Sequence, residues 1–408
     1  MLSKEHNELL TRSGAGTPMG ELMRRYWIPA LLSEEVPAPD CAPVRVQMLS
    51  ENLVAFRDSR GRVGLLGEHC MHRGTSLFFG RNEECGLRCI YHGWKYDVDG
   101  SVLDTPAEPA GSDFKHKLKH IAYPTLEAAG MVFAYLGPRD KLPLLPNYEW
   151  AIIPQEQTYV TKALMDCNYL QGVEGECDSS HLSFLHREFT AEGRRQLFAL
   201  DAAPAYETEQ TDFGVRLIAT RRAGADADAQ YVRVSSFVMP VYCWVPARNR
   251  ETHIYVPADD THAWRYDLGF LRDRTPTAED WNRKTQIGPD YKKIRNLQNN
   301  YLQDRRLQAT MTYTGIENFL NHDACATESM GPIYDRAREH LGVSDKAVIA
   351  VRKYLIDAVQ AFQQGKEPPH IVREAARNRF PHIDTFAQTI PAGARWRERF
   401  SHLRLSAE

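Results

Sequence analysis

Two short clusters of metal-binding side chains, Cys70-Met71-His72 and Cys89-Ile90-Tyr91-His92, separated by sixteen residues, constrain this 408-residue chain more than any other feature. Each cluster pairs one thiol with one imidazole, close enough in sequence to share a tight loop. Two such loops can grip a metal centre from opposite sides, each giving one sulfur and one nitrogen. The flanking runs LVAFRD, VGLLGEHC, GLRCIYHGWKYDV and SVLDTP are short, apolar or aromatic, and broken by Gly and Asp. That is the pattern of small antiparallel strands and hairpins.

The donor set matches a Rieske [2Fe-2S] cluster, in which two cysteines hold one iron and two histidines the other, raising the reduction potential above that of an all-cysteine cluster. Zinc also takes Cys2His2 sites, but zinc fingers pair Cys with Cys and His with His along the chain. The expected ligands are therefore Cys70, His72, Cys89 and His92. Cys85 and His69 lie close by and are read as bystanders, because Cys89 alone completes the Cys-x-x-His spacing and His69 is adjacent to Cys70.

The chain is long enough for two domains with substantial cores, with 43% hydrophobic residues. A Pro-rich stretch, LGPRDKLPLLPNYEW, is expected to close the first near residue 150, giving domains 1–150 and 151–408. A net charge of −3 and the lack of a basic block argue against nucleic acid as a partner. Eight scattered cysteines do not form a disulfide framework. The N-terminus has no signal-peptide pattern, and no apolar run approaches the roughly 20 residues that cross a bilayer. A cytoplasmic protein with no membrane association is the expectation.

The glycines at 14, 16 and 20 imitate a dinucleotide-binding loop, yet they follow a polar helix-like stretch instead of a strand, and Pro18 stands where the phosphate turn would open. The segment instead predicts a loop entering an amphipathic helix, with Met19, Leu22, Met23 and Tyr26 facing a core. With no flavin or nicotinamide motif elsewhere, electrons must come from a separate protein.

Their destination is suggested by DCNYLQGVEGECDSSHLSFLHREF. His181 and His186 stand five apart, about 140° around a regular helix, so both reach one metal only where the helix ends or bulges. Asp178, one turn before His181, can orient that imidazole or ligate metal itself. Two histidines and a carboxylate make the facial triad of non-heme Fe(II) oxygenases. Asp304, Asp323 and Asp335 are candidates for the carboxylate. Asp323 is the most suggestive: Phe319, Leu320, Cys325 and Met330 predict a buried helix around it, and a buried carboxylate needs a partner. Asp335 is expected to pair with a surface arginine.

The two Cys/His halves, NYLQGVEGECDSSHLSFLH, HDACATESMGPIYDR, LGVSDKAVIAVRKYL and GTPMGELMRRYWIPALL together resemble the oxygenase component of the phthalate dioxygenase group of Rieske non-heme iron oxygenases. The resemblance covers nearly the whole chain. It implies an α+β architecture: an N-terminal all-β Rieske domain, then a catalytic domain whose antiparallel sheet is flanked by iron-binding helices. It assigns the cluster to Cys70, His72, Cys89 and His92, and mononuclear Fe(II) to His181, His186 and Asp323. It further implies homo-oligomers, trimers or stacked trimers, in which Asp178 bridges His181 to His92 of the neighbouring subunit. Dioxygen is the co-substrate, and NAD(P)H supplies electrons through a reductase carrying flavin and a plant-type [2Fe-2S] cluster.

Relatives of this kind act mostly on aromatic carboxylates, including phthalates, chlorobenzoates and phenoxybenzoates, so dihydroxylation of a carboxylated ring is the leading expectation. Monooxygenation, as dealkylation or side-chain hydroxylation, is the alternative. A bare electron carrier is disfavoured by the second histidine pair and the remaining length. Arg216, Arg233, Arg248 and Arg250 are candidate carboxylate partners, and Phe237, Met239, Val241, Trp244 and Val245 are either pocket lining or sheet core. VSDKAVIAVRKYLIDAVQAFQQG predicts a packing helix capped at Ser344 and stopped by Gly365.

Overall fold

The computed structural model describes residues 2–109, 111–191, 193, 199, 201–223, 228–247, 250–277 and 279–399. Short, mostly apolar runs bounded by turn residues in the first third give short antiparallel strands in three small sheets. One contains β1 (Ile28–Leu32), β11 (Met131–Ala134) and β10 (Thr125–Ala128), in that order. A second orders β2 (Val44–Met48), β3 (Glu51–Arg57), β4 (Val63–Gly67) and β9 (Ala122–Tyr123). The third, β5 (Arg81–Glu83), β6 (Gly86–Arg88), β7 (Lys95–Tyr96) and β8 (Val102–Asp104), carries the second Cys/His loop. Val54, Phe56, Leu66, Leu77, Leu87, Trp94, Tyr96 and Val102 form a core of their own with Cys70 and Cys89.

The rest of the chain builds an eight-stranded antiparallel sheet. Its path runs β12 (Thr158–Met165), β18 (Ala263–Phe270), β17 (Glu251–Pro257), β16 (Tyr242–Val245), β15 (Ala229–Val238), β14 (Gly214–Ala223) and β13 (Ala205–Gln210), with β19 (Phe386–Pro391) paired to the first half of β15. The helices α3 (Tyr169–Cys177) and α5 (Lys346–Gln363) pack on it, and α4 (Phe319–Glu328) packs against α3. The architecture is α+β, as expected. Among the described residues no helix is long and apolar enough to cross a membrane.

The glycine-rich N-terminal segment folds as read. Helix α1 (Lys4–Thr11) is followed by α2 (Pro18–Met23), which Thr17 caps by accepting from Gly20 N while Pro18 occupies the first turn, where its missing N–H costs nothing. Met19, Leu22, Met23 and Tyr26 are all buried. The core is continuous between the N-terminal strands and the large sheet: Trp27 Nε1 donates to Pro143 O at 2.9 Å, and Tyr242 OH donates to Trp27 O at 2.8 Å.

Several local expectations are corrected. Helix α5 begins at Lys346 and its cap position is Asp345, one residue later than Ser344, and it ends before Gly365, whose φ of 84° suits glycine. Phe237, Met239, Val241, Trp244 and Val245 are sheet core: Trp244 packs edge-on to Tyr148 at 4.9 Å, inside an aromatic cluster with Trp150 and Tyr242. Phe319 and Met330 are half-exposed where burial was expected, because Phe319 begins α4 and Met330 lies beyond its end. Asp335 accepts from Ala337 N at 3.1 Å and closes a local turn.

Candidate metal centres

The two Cys/His loops are built alike. Cys70 N donates to Thr75 O and Gly74 N to Cys70 O; in the second loop Cys89 N donates to Trp94 O and Gly93 N to Cys89 O. Gly74 and Gly93 each follow their cysteine by four residues and have φ of 78° and 74°, the left-handed region where glycine carries no Cβ penalty. That repeated Cys-to-Gly spacing is a signal legible in the sequence that the motif reading did not use. The fold sets the loops side by side: the His72 and His92 rings are 4.6 Å apart, His72 stacks on Trp94 at 4.6 Å, and the cysteines lie buried beneath them. Two buried thiols under two outward imidazoles fit a Rieske cluster. Tyr96 OH lies 3.0 Å from Cys70 Sγ. His69 is engaged by Gly74 O, and Cys85 sits in a turn at φ 59°.

The second site forms where α3 stops. Asn168 caps the helix by accepting from Leu170 N, and Gly172 is needed because a Cβ there would meet the Tyr255 ring at 2.1 Å. Glu174 anchors the helix to Arg336 and Arg352 at 2.8 and 2.6 Å. Asp178 then leaves the helix in extended conformation (φ −89°, ψ 120°), and His181 begins a 3-10 turn. The helix ending, and not a bulge, therefore resolves the awkward five-residue spacing. Asp178 is the hinge of this change: Oδ1 accepts from Ser180 N at 2.7 Å and Tyr206 OH at 3.1 Å, and Oδ2 accepts from His181 N at 3.0 Å. The same oxygen lies 3.5 Å from His181 Nδ1. Arg221 steadies the segment by donating to Ser179 Oγ and Ser179 O.

Of the three candidate carboxylates, the fold brings Asp323 to the histidines. Ligand atoms of His181, His186 and Asp323 lie within 4.8 Å of one another, and His186 Nε2 is 2.9 Å from Asp323 Oδ1. Asp304 is spent capping a short helix through Arg306 N and Leu307 N. Three converging donors, two nitrogens and one oxygen, fit a facial triad.

Behind the triad lies a charge network that sequence reasoning missed, since its members are scattered over α3, β17 and β18. The β17/β18 register sets Tyr255 opposite Arg265 and His253 opposite Asp267. Arg265, fully buried, reaches Asp267 at 2.8 Å, Glu176 at 3.4 Å and Asp323 Oδ2 at 3.4 Å. His253 lies 2.8 Å from Glu176 and 3.0 Å from Glu251, and Tyr255 OH donates to Glu176 at 2.8 Å. Burial alone would raise the Glu176 carboxyl, but the charges of His253 and Arg265 outweigh it and hold the group at about 2. Burial is likewise overcome at Asp323, held well below the usual carboxylate range by His186, Arg265 and His181. His253 is pushed up to about 9, its burial outweighed by Glu176 and Asp267. His181 is raised against its burial by Asp178 and Asp323, and Asp178 is correspondingly lowered.

A Rieske [2Fe-2S] domain model matches residues 26–124, and the LigXa C-terminal domain-like family model matches residues 134–406. The chain belongs to the Rieske non-heme iron oxygenases. It is an oxidoreductase, the oxygenase component of such a system, and the family uses mononuclear iron and dioxygen beside the cluster. It is 40% identical to the phthalate 4,5-dioxygenase oxygenase subunit of Pseudomonas putida, over 98% of this chain and 94% of that one. It is 35% identical to the 3-chlorobenzoate-3,4-dioxygenase oxygenase subunit of Comamonas testosteroni, over 91% and 92%. It is also 35% identical to a tert-butanol monooxygenase / tert-amyl alcohol desaturase oxygenase subunit of Aquincola tertiaricarbonis, over 94% and 80%. Dicamba monooxygenase shares the fold, with a TM-score of 0.61 at 17% identity over 84% of this chain and 99% of that one.

Proposed function

We propose that this oxygenase dihydroxylates a carboxylated aromatic ring, of the phthalate, chlorobenzoate or phenoxybenzoate type, in aromatic catabolism. In this reading Cys70, His72, Cys89 and His92 hold the cluster, and His181, His186 and Asp323 hold Fe(II). The observation that carries it is the convergence of those three side chains, two from the segment that follows α3 and one from within α4 more than a hundred residues on, in a chain that also builds paired Cys/His loops. When bound, the cluster supplies single electrons and the iron supplies open positions for dioxygen and substrate. The residues of the chain orient and insulate. Asp178 on Nδ1 leaves the other nitrogen of His181 free for metal, and Arg265 holds one oxygen of Asp323 so that the second faces the histidines.

The substrate class is supported by the activities of the relatives and by one arginine. Arg216 pairs with Glu209 at 3.0 Å, and Arg250 lies between Asp384 and Glu149. Arg248 lies outside the described residues. Arg233 donates to Pro246 O and has no carboxylate within ion-pair distance among the described residues. It stands on the face of β15 that, through Arg221 on β14, looks toward Ser179, and is the carboxylate partner in this reading.

We further infer a head-to-tail homo-oligomer, trimer or stacked trimers, in the cytoplasm, served by an NAD(P)H-dependent reductase with flavin and a [2Fe-2S] centre. Exposed Met71, Ile90 and Tyr91 surround His72 and His92, forming an apolar tip. A cavity of about 230 Å³ bordered by Asp178, His181, Leu185, Ala326, Met330 and Val348 is a receptive counterpart. Docking of one subunit's tip beside the neighbour's Asp178 satisfies a heterologous interface that closes into a ring. The same functional division separates 1–150 from 151–408: the three small sheets end at Ala134 and the large sheet begins at Thr158. The test is incubation with such a reductase, NADH, dioxygen and a panel of benzoates, phthalates and aryl ethers. A cis-diol from a carboxylated ring is expected; dealkylated or side-chain-hydroxylated product alone would replace this reading by the monooxygenase one.

A further inference from the structure

The two histidines of the triad need the same thing: a hydrogen on Nδ1, so that Nε2 presents a lone pair to metal. Asp178 serves His181 in that way. Among the described residues no carboxylate lies at His186 Nδ1. That nitrogen has His322 instead, whose Nδ1 lies 3.1 Å from His186 Nδ1 while its Nε2 lies 2.6 Å from Ile316 O. Both rings are buried, they stack at 5.3 Å and 23°, and Phe319 covers His186 at 4.2 Å.

These contacts allow one assignment of hydrogens. A carbonyl oxygen only accepts, so His322 Nε2 carries the hydrogen. Neutral imidazole has one donor and one acceptor nitrogen, so His322 Nδ1 is the acceptor. It must then receive the hydrogen of His186 Nδ1, so that Nε2, the atom 2.9 Å from Asp323 Oδ1, is the ring nitrogen turned to the metal side, sharing a hydrogen with that carboxylate until a metal takes its place. The chain Ile316 O, His322, His186 thus runs in one direction and ends on the metal side.

We propose that His322 is a positioning residue that sets the tautomer and ring angle of His186 for Fe(II). This rests on the reading of His181, His186 and Asp323 as the iron site. His322 neighbours Asp323 in sequence, so a single turn of α4 supplies both a ligand and the partner of another ligand. Groups orienting a metal-bound histidine typically change metal affinity about 10- to 100-fold when lost.

The test uses the full-length, cluster-containing protein, freed of mononuclear iron and titrated anaerobically with Fe(II) against a competing chelator. His322→Leu removes the acceptor and is expected to weaken Fe(II) binding about 10- to 100-fold, with the cluster's visible absorption unchanged. His322→Asn, whose Oδ1 takes the place of Nδ1, is expected to restore binding. Wild-type affinity in His322→Leu overturns the proposal, and so does equal weakening in Leu and Asn, which would mark a packing role. Nitrogen NMR of the zinc-loaded wild-type protein gives an answer independent of any variant: hydrogen is expected on His186 Nδ1 and His322 Nε2, and the opposite pattern refutes the relay. His186→Ala separates the two layers. If it retains full Fe(II) affinity the iron-site reading fails; if it loses Fe(II) while His322→Leu does not, only the role of His322 fails.

Discussion

Replacing Arg265 by Met tests whether the buried network behind the triad is held together by one cation. The guanidinium touches Asp267, Glu176 and Asp323 at 2.8, 3.4 and 3.4 Å and is fully buried. Methionine fills much of the same volume but takes the shared guanidinium from Asp267, Glu176 and Asp323, with His253 still beside Glu176 and Asp267 and His186 still beside Asp323. Removing one partner of a buried pair costs about 3–5 kcal/mol, a large part of the roughly 5–15 kcal/mol that keeps a domain folded. At about 2–4 °C per kcal/mol for a domain of this size, the melting temperature of iron-free protein should fall by roughly 6–20 °C. The pH dependence has a definite sign. Glu176 and Asp323 are held below their unfolded values, so their contribution is present above about pH 4.5 and is lost as pH falls toward the folded values. Arg265→Met lacks that contribution from the start. The gap between the two proteins is therefore widest near neutrality and narrows as pH falls below about 4.5. Thermal melts in a pH series measure it. A loss under about 1 kcal/mol at neutral pH, within the range of ordinary surface changes, or a gap that stays constant with pH, would refute the reasoning.

Other outcomes follow from the same geometry. His181→Ala should abolish product formation while leaving the cluster's absorption intact; an unchanged rate in steady-state assays would remove this histidine from the iron site. Tyr96→Phe deletes the hydroxyl on Cys70 Sγ. Because that hydrogen bond strengthens by about 1 kcal/mol when the sulfur gains charge, the reduction potential should drop by roughly 40 mV, read by redox titration. Tyr206→Phe removes one of the donors to Asp178 and is expected to slow cluster-to-iron electron transfer in stopped-flow traces, with iron content unchanged. Arg233→Gln should raise KM for a carboxylated substrate at least about tenfold, consistent with loss of a charge-assisted hydrogen bond; equal KM values would move the carboxylate elsewhere.

What the chain's linear order determined was the chemistry that depends on short spacing. Cys-x-His and Cys-x-x-His specify one sulfur and one nitrogen per loop without reference to anything distant, and the Thr17-Pro18 start of α2 is equally local. The helix around Asp323 was also readable, though its degree of burial was not: Phe319 and Met330 are exposed because a helix end faces different surroundings from its middle. Tertiary structure alone decided the rest. His181 and His186 meet one point because α3 stops at Asp178, a boundary held locally by Ser180 and from other parts of the fold by Tyr206 and Arg221. Asp304 and Asp323 have the same side chain, and only packing sends one to a helix cap and the other to the histidines. Arg265, His253 and Glu176 carry no motif, because strand register and helix docking, not sequence proximity, bring their charges together. Buried charges are tolerated only with partners in place, and partners that lie scores of residues apart become visible only once the chain has folded.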